Sequence, residues 1–135
     1  MPPEQIEHSR VMALAAVKAA AENRGQDIIL LDLTSQTALF DFFVLATGSS
    51  RRQLSAMGFE IDRVLKHELN ERRLSAAGYD ESRWIVLDYG SVVVHLFDEE
   101  TREFYDLESL WADGRQIDIS SIVAEASARM SKLAD

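Results

Sequence analysis

The spacing of apolar residues divides the chain into segments of helical and strand periodicity. Apolar side chains recur at helical steps across residues 4–23, which predicts a first helix that ends near Gly25. Short apolar runs at residues 27–33 and 41–47 predict two buried strands, the second of which stops at Gly48. Ser49 or Ser50 is placed to cap a long helix. The apolar positions of that helix recur every three or four residues: Leu54, Met57, Ile61, Val64, Leu65 and Leu69.

The second half of the chain carries a hairpin pattern. Apolar runs at residues 84–87 and 92–97 flank a turn at 88–91, which predicts two antiparallel strands. Strand alternation places Val93, His95 and Phe97 on one face of the second strand. A short final helix is predicted from Ser120 or Ser121 to residue 133, where it frays or packs on a second subunit.

These elements predict one α/β domain, in which helices flank a single mixed β-sheet. We expect residues 1–119 to form the main body and residues 120–135 a C-terminal helical extension. A chain of 135 residues fits one domain of this kind and leaves no room for two ordinary ones.

Composition excludes several classes of protein. The chain has no cysteine, so a disulfide framework, a thiolate zinc site and a thiol nucleophile are all ruled out. Its formal net charge of −9 argues against a protein that binds nucleic acid over most of its surface. Neither a signal-peptide pattern nor an apolar run of about 20 residues is present, which predicts a cytoplasmic protein with no membrane contact.

Charge is unevenly distributed, and two segments stand out. Residues 50–79 hold six basic and four acidic residues, which is typical of a solvated helix face but also fits contact with an acidic partner or an RNA edge. Residues 98–118 hold eight acidic and two basic residues around several aromatic side chains. An acidic rim around an aromatic centre suits a basic protein surface, whereas the alternative is that the aromatics cap the sheet edge as core.

Catalytic and metal-binding patterns are weak. The three histidines lie on separate predicted elements without ligand spacing, and His95 is best interpreted as a hydrogen-bonded structural residue rather than a ligand or base. The Gly48-Ser49 turn could present amides to a phosphate, but Glu60 and Asp62 point about 200° apart on the predicted helix and cannot hold one metal. A helix cap is therefore the favoured interpretation, and no metal or cofactor is predicted.

Four ordered blocks of the sequence closely resemble the ribosomal silencing factor family, also called RsfS, YbeB or Iojap. The blocks are residues 41–51 (DFFVLATGSSR), 84–90 (WIVLDYG), 92–97 (VVVHLF) and 102–111 (REFYDLESLW). The resemblance implies a nucleotidyltransferase-like fold that lacks the catalytic carboxylates. It also implies a non-enzymatic, cytosolic bacterial or organellar factor that is a homodimer when free.

The resemblance further implies binding to the large ribosomal subunit through ribosomal protein L-fourteen. On that intersubunit face the factor would block subunit joining and repress translation when nutrients are scarce, with a minor contact to ribosomal RNA. The alternative is a degenerate or active nucleotidyltransferase-like, nucleotide-binding protein. It would use Ser49 at the Gly-Ser turn, with metal ligands drawn from Asp32, Asp41 and Asp88.

Candidate partner-binding residues follow from the hairpin and the acidic segment. Large aromatics are favoured as interface anchors, and carboxylates pair with basic partner residues. The anchors are Trp84, Tyr105 and Trp111, and the carboxylates are Asp88, Asp106 and Glu108. Tyr89 and Gly90 shape the turn, with Gly90 at positive φ, and His95 is the remaining partner-binding candidate. Each has an alternative role as a core or turn residue. Ala77 and Ser91 replace carboxylates that the family usually carries near the expected contact zone.

Overall fold

The computed structural model describes residues 3–111 and 114–134, and within them it contains five helices and six strands. In chain order these are α1 (Pro3–Glu22), β1 (Gln26–Asp32), β2 (Phe42–Thr47), α2 (Arg51–Leu69), β3 (Ser75–Ala77), β4 (Trp84–Asp88), β5 (Val92–Phe97), α3 (Glu99–Tyr105), α4 (Leu107–Leu110), β6 (Arg115–Ile117) and α5 (Ser120–Ala134). The strands form one sheet in the order β3-β4-β5-β2-β1-β6. Only β2 and β5 pair in parallel within this sheet, so the sheet is mixed, as predicted.

The main core lies between the sheet and helices α1, α2 and α5. Helix α1 contributes small residues such as Ala13, Ala16 and Val17, which let it approach the sheet closely. Helix α2 buries its apolar stripe, including Leu54, Ile61 and Leu65, against the same face. A smaller cluster on the opposite face contains Phe43, Leu45, Val93 and Phe97, with Leu107 and Trp111 packed against it. The two faces of the sheet are therefore covered very differently.

The predicted helices and strands are confirmed for most of the chain. Ser50 is the N-cap of α2 and accepts a hydrogen bond from the backbone N–H of Gln53 at 3.0 Å. The sequence did not predict β3 and β6, which have three residues each and lie at the two edges of the sheet. It also left without assigned structure the acidic segment that forms α3 and α4.

The final helix packs on its own chain. Ile122 and Val123 lie against the main core, and the Arg129 guanidinium approaches the Glu22 carboxylate of α1 at 3.3 Å. The division of the chain into residues 1–119 and 120–135 stays a prediction. Across residues 3–111 and 114–134, none of the helices is both long and apolar enough to cross a membrane.

Candidate functional site

Strand alternation places three of the candidate residues, Trp84, Asp88 and His95, on the sheet face opposite α1 and α2. Trp84, Val86 and Asp88 of β4 lie on this side, beside Val93, His95 and Phe97 of β5. Register pairs Trp84 with Phe97 and Val86 with His95. We call this surface, together with Phe43 of β2 and the flanking Tyr105 and Trp111, the aromatic face. The shared face of Val93, His95 and Phe97 is confirmed.

Aromatic rings contact one another continuously across the aromatic face. The ring centroid of Trp84 is 4.7 Å from that of Tyr105 and 5.4 Å from that of Phe97. Phe43 meets Trp111 edge to face at 5.8 Å. Both tryptophans are half-buried, whereas Tyr105 is 52% exposed. The face therefore presents large, rigid apolar groups that are already packed on one side and still accessible on the other.

His95 holds Trp84 in place. The indole Nε1–H of Trp84 donates a hydrogen bond to His95 Nδ1 at 3.2 Å, so Nδ1 must carry a lone pair. Burial lowers the pKa of His95 to about 4, and the nearby Asp88 carboxylate offsets this only in part. The histidine is thus neutral, and it is the hydrogen-bonded structural residue that the sequence predicted. Its Nε2 is buried and has no hydrogen-bond partner among the described residues.

The turn after β4 is built as expected at two of its residues. Gly90 has a φ of +89°, which confirms the predicted positive value. Its backbone N–H donates to Asp88 Oδ1 at 2.8 Å, which orients that half-buried carboxylate.

Tyr89 lies on the other side of the sheet. Its side chain is 7% exposed within the main core, and its hydroxyl donates to Asp62 Oδ1 on α2 at 2.9 Å. Burial, followed by that hydrogen bond, raises the pKa of Tyr89 above its ordinary value. Tyr89 thus anchors the turn from the core, and its ring does not lie on the aromatic face. Its place among the partner-binding residues stays a prediction.

An arginine that the sequence analysis did not single out fixes the acidic segment. Arg102 is 9% exposed; its Nε donates to Glu108 at 2.6 Å, and its Nη1 donates to the Asp27 carbonyl and to Thr47 Oγ1 at 2.7 and 2.8 Å. This one side chain ties α3 and α4 to the ends of β1 and β2. Glu108 pairs with Arg102 within the chain, and its expected contact with a basic partner residue stays a prediction.

Asp106 joins the two short helices. It adopts a left-handed φ of +46°, and its N–H donates to the Arg102 carbonyl at the end of α3. Its Oδ2 accepts a hydrogen bond from Ser109 Oγ at 2.5 Å, and the residue is exposed. Asp106 thus remains on the surface beside Tyr105 while it shapes the junction.

The Gly-Ser turn and the two carboxylates Glu60 and Asp62 have partners within the chain. The backbone N–H and the hydroxyl of Ser49 both donate to Gln53 Oε1, at 2.6 and 2.8 Å, which confirms the helix-cap interpretation of the Gly-Ser turn. Glu60 pairs with Arg63, while Asp62 pairs with Arg73 at 3.1 Å. In the part of the chain that the structure describes, no group of three or more histidine and carboxylate residues could hold a metal ion.

The chain is similar to known proteins over most of its length. The family model described as "Ribosomal silencing factor during starvation" matches residues 6–135. The ribosomal silencing factor of Bacillus subtilis is 34% identical over 105 residues, which are 77% of this chain and 87% of that relative. The corresponding protein of Halalkalibacterium halodurans is 30% identical over 81% of this chain and 92% of its own length.

A solved structure agrees with the fold. The crystal structure of a protein from Chromobacterium violaceum matches with a TM-score of 0.71 and 32% identity, over 87% of this chain and 92% of that one. The sequence blocks, the family match and the structural match therefore converge, and the chain belongs to the ribosomal silencing factor family.

Proposed function

We propose that this chain is a translation repressor that binds the large ribosomal subunit through ribosomal protein L-fourteen. Bound on the intersubunit face, it stands where the small subunit must approach, so it prevents subunit joining under nutrient limitation without any chemical reaction. The free protein is proposed to be a cytoplasmic homodimer, and a minor contact with ribosomal RNA accompanies binding.

The aromatic face is the observation that carries this proposal. Trp84, Trp111 and Tyr105 form an accessible aromatic group, and Asp88 and Asp106 add negative charge at its margin. Large aromatics contribute much of the binding energy at interfaces because they bury a large area at little cost in side-chain entropy. The chain also carries a net charge of −9, which favours a basic partner.

Steric exclusion requires a rigid body more than it requires a catalytic group. The Trp84–His95 hydrogen bond and the Arg102 contacts fix the aromatic face before any partner arrives. A preformed surface loses less entropy on binding than a mobile one, so more of its contact energy appears as affinity. The nucleotidyltransferase-like alternative lacks comparable support, because its Gly-Ser turn is occupied by helix-capping contacts.

The direct test compares aromatic variants in binding to purified ribosomal subunits. Tyr105→Ala and Trp84→Ala remove rings from the aromatic face, whereas Phe59→Ala removes a 60% exposed ring from α2, where it stacks on Tyr79. We expect wild type and Phe59→Ala to bind large subunits but not small subunits. Both proteins should also reduce the joining of the two subunits, as measured in sucrose gradients. Tyr105→Ala and Trp84→Ala should lose both binding and inhibition.

Circular dichroism and thermal unfolding establish that each variant remains folded. Tyr105→Ala is the more informative variant because its ring is half exposed and contributes less to the core than Trp84. Folded wild type that leaves subunit joining unchanged at saturation would refute the proposal. Equal loss of binding in Phe59→Ala and Tyr105→Ala would refute the assignment to the aromatic face.

A further inference from the structure

A cleft opens at the edge of the aromatic face, between the β3–β4 loop and α3. It has a volume of about 620 Å³. Its walls combine aromatic rings with carboxylates: Trp84, Phe104 and Tyr105, and Asp80, Glu81 and Glu100. The volume falls in the range of about 300–1,000 Å³ that is typical of sites for compact ligand groups.

The aromatic wall of the cleft is exposed. Phe104 is 80% exposed and Tyr105 is 52% exposed, and their rings meet edge to face at 5.0 Å. Tyr105 also contacts Trp84 at 4.7 Å, so the three rings form a continuous surface. Exposed aromatic groups of this extent mark contact sites on folded proteins.

The charge around the cleft is predominantly negative. Asp80, Glu81 and Glu100 contribute three carboxylates, and Arg83 is the basic residue that lines the cleft with them. Arg51 approaches from α2, but it donates to the Asp80 carbonyl oxygen rather than to the carboxylate. Helix α3 adds further acidic residues to its outer surface, since its sequence is EETREFY and its arginine is buried. A cationic group entering the cleft would therefore be attracted by its surroundings.

We propose that this cleft receives an arginine side chain from a basic segment of the ribosomal partner, an inference that rests on the proposed function. The planar guanidinium stacks on an aromatic face and donates several hydrogen bonds in a fixed fork, so it matches both walls of the cleft. A lysine ammonium group carries the same positive charge, but it has no planar group that could stack on an aromatic ring. The inserted arginine fixes the orientation of the partner against Trp84.

A small probe tests the chemistry of the cleft without the ribosome. Nα-acetyl-arginine methylamide is titrated into the isotopically labelled protein, with the citrulline analogue as a neutral control of nearly identical shape. We expect NMR shifts at Phe104, Tyr105 and the Trp84 indole, with binding of the arginine probe about fivefold tighter than that of the citrulline probe. Equal shifts with both probes, or shifts confined to other parts of the chain, would overturn the proposal.

Charge-neutral variants test the role of the cleft in ribosome binding. The variant D80N/E81Q/E100Q is compared with E4Q/E68Q/E125Q, which removes the same charge from exposed positions on α1, α2 and α5. We expect the cleft variant to bind large subunits about fivefold more weakly than the control, with a smaller salt dependence. Equal affinity of the two variants would refute the role of the cleft and leave the aromatic-face proposal standing. If wild type binds the arginine probe but not the large subunit, this result would refute both the proposed function and the ribosomal origin of the arginine.

Discussion

Lowering the pH from about 7 to about 4 is expected to reduce the free energy of unfolding by about 3 kcal/mol through His95 alone. The pKa of His95 falls from an ordinary value of 6.5 to about 4 in the folded protein. Each unit of difference between folded and unfolded states corresponds to about 1.4 kcal/mol. Because the unfolded chain binds the proton more readily than the native one, stability present above pH 6.5 is lost as the pH falls toward 4.

The structure gives the physical reason for this shift. His95 is 7% exposed, so a charge on its ring would lose most of its hydration. Protonation of Nδ1 would also replace the lone pair that accepts the Trp84 indole N–H at 3.2 Å with a second donor. Asp88 partly favours the charged form but does not compensate for burial.

The assay is urea denaturation of wild type and His95→Gln at a series of pH values. Glutamine cannot titrate, and its amide oxygen can still accept from the indole. The remaining ionisable groups are common to both proteins, so their contributions cancel when the two stability curves are subtracted. We expect the difference to change by about 3 kcal/mol between pH 7 and pH 4. Parallel curves across this range would refute the assignment of a buried, neutral His95.

Two further predictions concern the residues that hold the aromatic face. Arg102→Met should lower the free energy of unfolding by about 3 kcal/mol in urea denaturation, because hydrogen bonds to charged groups contribute roughly 1.5–3 kcal/mol each. An unchanged denaturation midpoint would contradict a stabilising role for the buried Arg102 hydrogen bonds. Gly90→Ala should lower the free energy of unfolding by about 1–2 kcal/mol, because alanine is strained at the left-handed φ of this position. Gly78→Ala should lower the free energy of unfolding further, because the added Cβ would lie 1.9 Å from the Trp84 carbonyl oxygen. Equal losses in the two glycine variants would refute that steric argument.

Regular periodicity explains why most of the fold could be predicted from the sequence. Helix α2 carries a regular apolar spacing from Leu54 to Leu69 and a serine cap, and the β4–β5 hairpin carries two strands around a turn with a left-handed glycine. Strands β3 and β6 have only three residues each, so neither shows enough alternation to be recognised. Their pairing depends on the edges of a sheet that the rest of the chain must first assemble.

The candidate site was predictable where strand parity determines position and not where it depends on side-chain pairing. Trp84 and Asp88 lie on the same face because they are four residues apart in one strand. The same parity places Tyr89 on the opposite face, a signal that the sequence contained. By contrast, the net charge of the acidic segment could not predict the Arg102–Glu108 pair. Arg102 is also held by Asp27 and Thr47, which are distant from it in the sequence.

The neutrality of His95 also determines how pH should act on binding. Between pH 6 and pH 8 the native histidine stays uncharged, since its pKa is about 4, so the Trp84 indole keeps its hydrogen bond throughout this range. Affinity for the large subunit should therefore be nearly constant from pH 6 to pH 8, with no inflection near the ordinary histidine value of 6.5. The other histidines, His8 and His67, are exposed and lie on α1 and α2, outside the aromatic face. An inflection near 6.5 that disappears in His95→Gln would show that partner binding requires a charged histidine, and it would contradict the role of His95 as a neutral support for Trp84.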